Sequence, residues 1–490
     1  MKNKNAKQNM KFSKIQKHIP VIIIACAVVI TGAILFFSSD DVDKVKVSRD
    51  ALVSEFTGAY VEDIEPNGNI VEMDMTASES EVEIFDGYKT KVWSYNDTVP
   101  GPEVRVKLGD TLRLNFTNDL PQETTIHFHG VRVPNAMDGV PGVTQDPIKP
   151  GESFVYEFTP KDAGTFWFHP HVRTSEQVER GLFGTLIVED DVDQKYSQDI
   201  VWVIDDWRMT EDRQVYEEFN TPMDLMHDGR WGNVMTVNGK LNEVLDVKPG
   251  ERIRLRMVNA SNARIYMPSF KNLNAKIIAV DGMYVKEVFD FGELELSPGN
   301  RIDIDITIPQ DADGQVFELV DNFGREEIKL ARIEVAGQAV ATPEFNFPVN
   351  SEVPDWTGAS DIEIDKEYRL NARRKTGEGM GMMGGIEWTI NDKAYPDYDP
   401  YTFKYAEFNT MRFTNESVRL HPMHLHGQFF KVIARDGVPV SEPYFRDTVL
   451  VYPNQSVDVA LVPLDKGLWV NHCHILEHAA AGMLTAVEVK

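Results

Sequence analysis

From about residue 65 to the C-terminus, short runs rich in Val, Ile, Phe and Thr alternate apolar and polar positions, and Gly, Pro, Asn or Asp interrupts them every eight to twelve residues. Alternation with period two puts successive side chains on opposite faces of a strand. Turn residues at that spacing predict sandwiches or barrels rather than helical layers. One pattern recurs. It stands at residues 106–118 (VKLGDTLRLNFTN), again at 247–259 (VKPGERIRLRMVN), and in weaker form at 403–415 (FKYAEFNTMRFTN), each copy reading as an alternating strand that ends in Asn. A second repeat pairs 164–171 (GTFWFHPH) with 467–474 (GLWVNHCH), so the first and third units are close relatives. The expected organisation is all-β, with Greek-key β-sandwich units at 65–192, 193–337 and 350–490 and a Pro-bearing linker before the last.

A different pattern occupies residues 19–37 (IPVIIIACAVVITGAILFF), which carry no charge. As a helix this run is about 28 Å long, enough to span a bilayer. Six lysines precede it in residues 1–18, and Asp40, Asp41 and Asp43 follow, so the positive-inside rule places the rest of the chain outside the cell. The run ends in Leu35, Phe36 and Phe37 rather than in small residues, which favours an uncleaved transmembrane anchor followed by a linker at 38–64. The alternative is lipidation at Cys26, although eleven uncharged residues follow that cysteine.

Charge and composition narrow the class. The 490 residues carry 50 Lys and Arg against 77 Asp and Glu, a net charge of −27, which argues against binding nucleic acid through phosphate contacts. Without the six N-terminal lysines the remainder stands at −33, a field that attracts cations. Mean hydropathy is −0.31, so a multi-span membrane protein is excluded. Only two cysteines exist, Cys26 in the apolar run and Cys473, so the extracytoplasmic part has no intrachain disulfide and must rely on core packing.

Ten of the twelve histidines fall in four clusters: His127 and His129; His169 and His171; His421, His424 and His426; His472, His474 and His478. All four belong to the first or third unit. In a strand, i and i+2 share a face, so the His127/His129, His169/His171, His424/His426 and His472/His474 pairs offer eight imidazoles, four from each unit, to a site between two similar domains. Eight are too many for one metal, and imidazole suits copper, zinc, iron or nickel. Cys473 lies between two of these histidines and must point to the opposite face. His421, of odd parity to His424 and His426, can join it there, and His478 and Met483 follow at loop distance. Two His, a thiolate and a weak thioether make an electron-transfer copper site, and zinc is disfavoured because no second thiolate is present. In the first unit Pro170 and Thr124 stand where the third has Cys473 and His421, and the middle unit, with only His227, reads as a spacer.

On these motifs (His127-Phe128-His129-Gly130, Trp167-Phe168-His169-Pro170-His171, His421-Pro422-Met423-His424-Leu425-His426-Gly427, and HCHILEHAAAGM from His472 to Met483) the chain resembles the multicopper oxidases, the family of laccases, ceruloplasmin-type ferroxidases and bacterial copper-efflux oxidases. The resemblance implies three cupredoxin-like domains and four copper ions. A type 1 copper would sit on His421, Cys473, His478 and axial Met483, and a type 2 copper on His127 and His424. The type 3 pair would divide into His129, His169 and His474 on one ion and His171, His426 and His472 on the other. The implied reaction takes single electrons from a donor and reduces O₂ to water, with Cys473 passing electrons to its flanking histidines. Asp138 matches an acidic position of the family and is expected to hydrogen-bond the type 2 water or relay protons; as a sequence feature it is equally a turn aspartate. Many bacterial relatives carry an acid where this chain has Ala479, so one usual proton donor is missing.

The donor is expected to be Cu(I), Fe(II) or a phenol. The Gly- and Met-rich stretch 379–385 carries Met380, Met382 and Met383, soft thioethers that favour Cu(I), and it resembles the Met-Gly segment of copper-efflux oxidases; Met as filler in a flexible loop is the competing reading. The sequence therefore predicts a membrane-anchored, extracytoplasmic oxidase of Cu(I), also acting on phenols, in copper tolerance. The alternatives are a laccase acting mainly on phenols and, in another class, a non-enzymatic copper-binding resistance protein.

Overall fold

The computed structural model describes Phe56 and residues 64–192, 195–292, 294–351, 353–354, 363–375 and 385–490. The apolar run at 19–37 and the thioethers Met380, Met382 and Met383 lie outside the described residues. Among those described, no helix is long and apolar enough to cross a membrane.

The described strands form six sheets, two in each predicted unit. In the first unit, Tyr88–Tyr95, Ile70–Phe85, Thr111–Asn118 and Ser153–Phe158 make one sheet, and Glu103–Lys107, Gly184–Glu189, Gly164–His169 and His127–His129 the other. The other units repeat the plan: the parallel pair Ile70–Phe85 with Thr111–Asn118 recurs as Gln198–Trp207 with Arg252–Asn259 and as Lys366–Arg374 with Asn409–Asn415. This is an all-β, cupredoxin-like architecture.

The repeated sequence proves to be a crossing between sheets rather than one strand. Each copy closes a strand of one sheet (Glu103–Lys107, Glu243–Val247, Tyr401–Phe403), turns, and opens a strand of the other sheet. The turn needs a left-handed residue, found at Gly109 (φ 92°), Gly250 (φ 85°) and Ala406 (φ 56°). Glycine takes that conformation without a Cβ clash and alanine does not, which is why the third copy is hard to see in sequence.

The closing asparagine of each copy has a defined task. Asn118 Nδ2 donates to the carbonyls of Gln122 and Ile148, Asn259 to those of Arg264 and Leu296, and Asn415 to those of Arg419 and Val451. Each Oδ1 accepts the backbone N–H two residues on, at Leu120, Ser261 and Ser417. A buried side chain with all these bonds made rigidifies the loop it serves. In the first and third units that loop leads into the strands His127–His129 and His421–Leu425.

Two kinds of contact bring the units together. One apolar cluster runs from Phe128, Tyr156 and Phe168 of the first unit to Phe408, Phe429 and Phe445 of the third, and each such side chain contributes about 1.5–3 kcal/mol by leaving water. The middle unit docks through a second apolar cluster, Trp167, Val178 and Phe183 of the first unit against Val201, Val203 and Trp207, and through charge, as in Arg230 paired with Glu179 of the first unit at 2.9 Å. Its strand Arg252–Asn259 is buried along its whole length despite three arginines, because Arg252, Arg254 and Arg256 pair with Asp305, Asp303 and Asp199 at 2.6–2.7 Å. Thr165 of the first unit joins them, 2.6 Å from Asp303 and 2.8 Å from Arg256.

Candidate metal centres

Antiparallel pairing sets the register of the histidine strands. His127 lies opposite His169 in the first unit and His424 opposite His472 in the third, with Met423 opposite Cys473. The alternation within Gly467–Cys473 and the residue after it then sends His472 and His474 to one side and Cys473 to the other.

On the cysteine side, His421 Nδ1 and His478 Nδ1 lie 3.6 and 3.7 Å from Cys473 Sγ and 3.2 Å from each other. All three residues are buried, as is Met483, which is tied to the cluster by Cys473 N–H donating to its carbonyl and by its own N–H donating to His478 O. The outer nitrogens are anchored: Ser417 Oγ is 2.8 Å from His421 Nε2, and His478 Nε2 donates to the carbonyl of His227 at 2.6 Å. A carbonyl only accepts, so His478 carries its proton on Nε2 and turns the lone pair of Nδ1 toward the sulfur. Trp388 packs against both rings, with centroids 5.0 and 4.2 Å away, and its Nε1 donates to Leu225 O of the middle unit.

On the other side, the eight imidazoles form one nest between the first and third units. His127, His169, His424 and His472 donate through Nδ1 to the carbonyls of Asp138, Pro170, Asp447 and Cys473 at 2.8–3.0 Å. The Asp138 carboxylate lies 3.0 Å from His426 Nδ1 and 3.2 Å from His127 Nδ1, so it holds one imidazole of each unit. His426 Nε2 and His472 Nε2 approach to 3.1 Å. The inward atoms, Nε2 of His127, His169, His171 and His424, Nδ1 of His129 and both nitrogens of His474, have no protein hydrogen-bond partner. Buried lone pairs left so are costly unless something else satisfies them, and neutral imidazoles converging on one space fit metal ions. Ligand-capable atoms converge in the sets His127/His129/His169, His127/His424/His426, His171/His426/His472 and His421/Cys473/His478.

The electrostatics agree with that use. Burial, with the neighbouring imidazoles, holds His129, His169, His171, His426 and His474 well below the usual histidine range, so they are neutral and ready to ligate. Burial pushes His472 and His478 down to about 3. The same burial pushes the Cys473 thiol up, so the thiolate forms only when a cation takes the proton's place.

The eleven predicted His and Cys ligands therefore fall in two adjacent clusters, Met483 joins the smaller one through its backbone and the shared apolar core, and Asp138 sits against the larger. Some contributors were not read from sequence. The middle unit is more than a spacer: the backbone of His227 holds His478, and Arg419 Nη2 donates to the His227 ring. Glu477 turns away from the ligands and accepts from Asn262 Nδ2 at 2.8 Å and the Arg230 N–H at 3.1 Å, with burial pushing it up to about 7. Asp447, wholly buried, approaches His129 Nε2 at 3.2 Å and is paired with Arg301 of the middle unit. Burial alone would raise Asp447, but the guanidinium outweighs it and holds the carboxylate ionised.

Comparison with known proteins places this geometry. Family models described as multicopper oxidase match residues 76–193, 198–333 and 369–490. A multi-copper oxidase of Pseudomonas thermotolerans, known by crystal structure, is 31% identical; the match covers 86% of this chain and 99% of that one with a TM-score of 0.75. A multicopper oxidase of Campylobacter jejuni, described as a metallo-oxidase, is 28% identical over 88% of this chain and 95% of that one, with a TM-score of 0.71. The multicopper oxidase MmcO of Mycobacterium tuberculosis is 29% identical over 81% of this chain and 82% of its own length. With donor atoms that suit copper in both clusters and matches spanning all three units, this chain belongs to the multicopper oxidase family: it is an oxidoreductase that carries type 1, type 2 and type 3 copper and couples oxidation of reducing substrates to reduction of O₂.

Proposed function

We propose that the chain oxidises Cu(I) at the cell surface, accepts phenols as secondary substrates, and serves copper tolerance. In this reading His421, Cys473, His478 and Met483 hold the type 1 copper, and His127 and His424 the type 2 copper. His129, His169 and His474 hold one type 3 ion, and His171, His426 and His472 the other. Copper at these positions supplies one-electron oxidation on the cysteine side and four-electron reduction of O₂ on the histidine side. The protein supplies the connection, since Cys473 is covalently continuous with His472 and His474 and no second chain segment has to bridge the clusters. Asp138 orients His127 and His426 and moves protons through its carboxylate oxygens.

One observation supports a small donor. The outer edge of His478 is buried and already bonded to the His227 carbonyl, beneath the helix Pro222–Met226 and Trp388, so an aromatic ring has no access to the imidazole edge. Met223 of that helix is 64% exposed and Met226 is half-buried, giving a reduced metal ion soft groups nearby, while the half-buried Asp228 is paired with Arg419 at 3.0 Å. The relative described as a metallo-oxidase supports the same reading. Met380, Met382 and Met383 are proposed to extend this route, and residues 19–37 to anchor the enzyme with its catalytic part outside. Steady-state O₂ uptake with Cu(I), Fe(II) and a phenol on one copper-loaded preparation tests the donor. The expected order puts Cu(I) first; a phenol oxidised faster than either ion would refute it.

A further inference from the structure

The middle unit contributes no paired histidine, yet one of its side chains lies at the histidine nest and touches all three units. Arg301, wholly buried, donates from Nε to Thr165 O of the first unit at 3.2 Å, from Nη1 to Gly299 O at 3.0 Å and from Nη2 to Asp281 O at 2.8 Å within its own unit. It also grips Asp447 of the third unit, with Nη1 3.0 Å from Oδ1 and Nη2 2.7 Å from Oδ2. The first contact is a hydrogen bond and the second a close ion pair, and together they hold the carboxylate against the guanidinium. Asp281 supports it from behind, accepting the N–H groups of Arg301 and Asp447 at 3.0 and 3.2 Å. Space has been cleared for this arrangement. A Cβ on Gly130 (φ 80°) would lie 2.2 Å from Arg301 Nη2, and one on Gly299 (φ 90°) 2.7 Å from His129 Cε1.

The consequence falls on His129. A carboxylate so held only accepts, so the ring nitrogen facing it, Nε2 at 3.2 Å, must carry the hydrogen. That leaves Nδ1 facing the nest, whereas His127, His169, His171 and His424 present Nε2. His127, His169, His424 and His472 get their tautomer from backbone carbonyls, and His426 Nδ1 faces the Asp138 carboxylate; His129 gets its tautomer from the Asp447 side chain, which the middle unit holds. We propose that Arg301 is a positioning residue of the oxygen-reducing site: through Asp447 it fixes His129 as the Nε2–H tautomer and so selects Nδ1 as its metal-facing atom. The middle unit thereby completes a site to which it lends no ligand.

The proposal rests on His129 being a type 3 ligand, and the metal-free protein separates the two claims. In ¹⁵N-histidine spectra of the apo-protein, with His129 identified by its loss in His129→Gln, the expected result is a hydrogen on Nε2 shifted far downfield by the carboxylate. In Arg301→Gln that signal should be lost, and on copper loading the type 3 near-ultraviolet band should need about 10–100-fold more free copper while the blue band forms normally. Apo His129 protonated on Nδ1 would overturn the proposal, as would Arg301→Gln with both the downfield signal and wild-type type 3 loading. The Nε2–H form in a protein that loads no copper beside His129 would support the positioning and sink only the ligand assignment. If Arg301→Gln does not fold, Arg301→Lys, which keeps the charge but cannot span both Asp447 oxygens, is read by the same two signals, and the wild-type apo spectrum decides on its own.

Discussion

Residues 164–171 and 467–474 are the same structural segment used twice, and they differ most on one face. Both end in two histidines that point into the shared nest. On the opposite face the third unit has His421, Cys473 and His478, where the first has Thr124, Pro170 and Ser175 in the corresponding places. Those first-unit residues are spent on packing: Thr124 Oγ1 donates to Gln177 Oε1 at 2.8 Å, and Ser175 Oγ to Asn220 Oδ1 at 2.9 Å. A strand thus carries different sites on its two faces, and the first unit shows the histidine face in place without the other. The electron-accepting centre is present in one of two related units that close the histidine nest together.

The largest effect should come from making the third unit resemble the first. Cys473→Ser is expected to abolish the intense blue absorption and reduce donor-driven turnover to background while type 3 copper still loads; a retained blue band would remove Cys473 from the electron-accepting centre. Next, Asp138→Asn keeps the shape but loses the charge beside His127 and His426, and should lower turnover by about 10–100-fold with the blue band unchanged, as read by paired O₂ uptake and visible spectra.

The pH dependence of the metal-free protein sharpens the contrast between faces. Buried imidazoles are neutral in the fold, whereas those of the unfolded chain take up protons below about 6.5. The unfolded state then binds more protons, so stability is lost as pH falls through that value and continues to fall toward the folded values, about 3 at His472 and His478. Melting temperature should drop between pH 7 and 5 for apo-protein and much less for copper-loaded protein; equal drops would contradict neutral, metal-ready histidines.

These contrasts were legible in sequence to different degrees. The His pairs and Cys473 could be sorted by parity because strand period two is a local property. The Arg301–Asp447 pair could not, since its members are 146 residues apart and meet only when the middle unit docks. The repeat was visible, but its meaning was not: Asn118, Asn259 and Asn415 look like strand ends until their amide bonds to carbonyls 30–37 residues away are seen. His227 gave no signal because it acts through its carbonyl, a group every residue has.

The asparagines offer a smaller test of face independence. Asn118→Ala and Asn415→Ala should each cost about 1–3 kcal/mol in chemical denaturation, because buried carbonyls lose their donors. Asn118→Ala should weaken loading of the histidine nest, and Asn415→Ala should weaken the blue centre first; identical metal losses from both would argue that the faces are coupled. The smallest effect is expected from Ser417→Ala. Loss of the Ser417 Oγ contacts to His421 Nε2, Asn415 Oδ1 and the Arg419 N–H should cost about 1 kcal/mol and shift the blue band slightly without reducing copper content, and an unchanged spectrum would show that Ser417 does not orient the ring.

Anomalous diffraction at the copper edge from crystals of the copper-loaded enzyme tests the central claim most directly. The account predicts one copper bound by Cys473, His421 and His478, separate from three coppers among the eight paired histidines. A single copper bound by Cys473 together with His472 or His474 would contradict it.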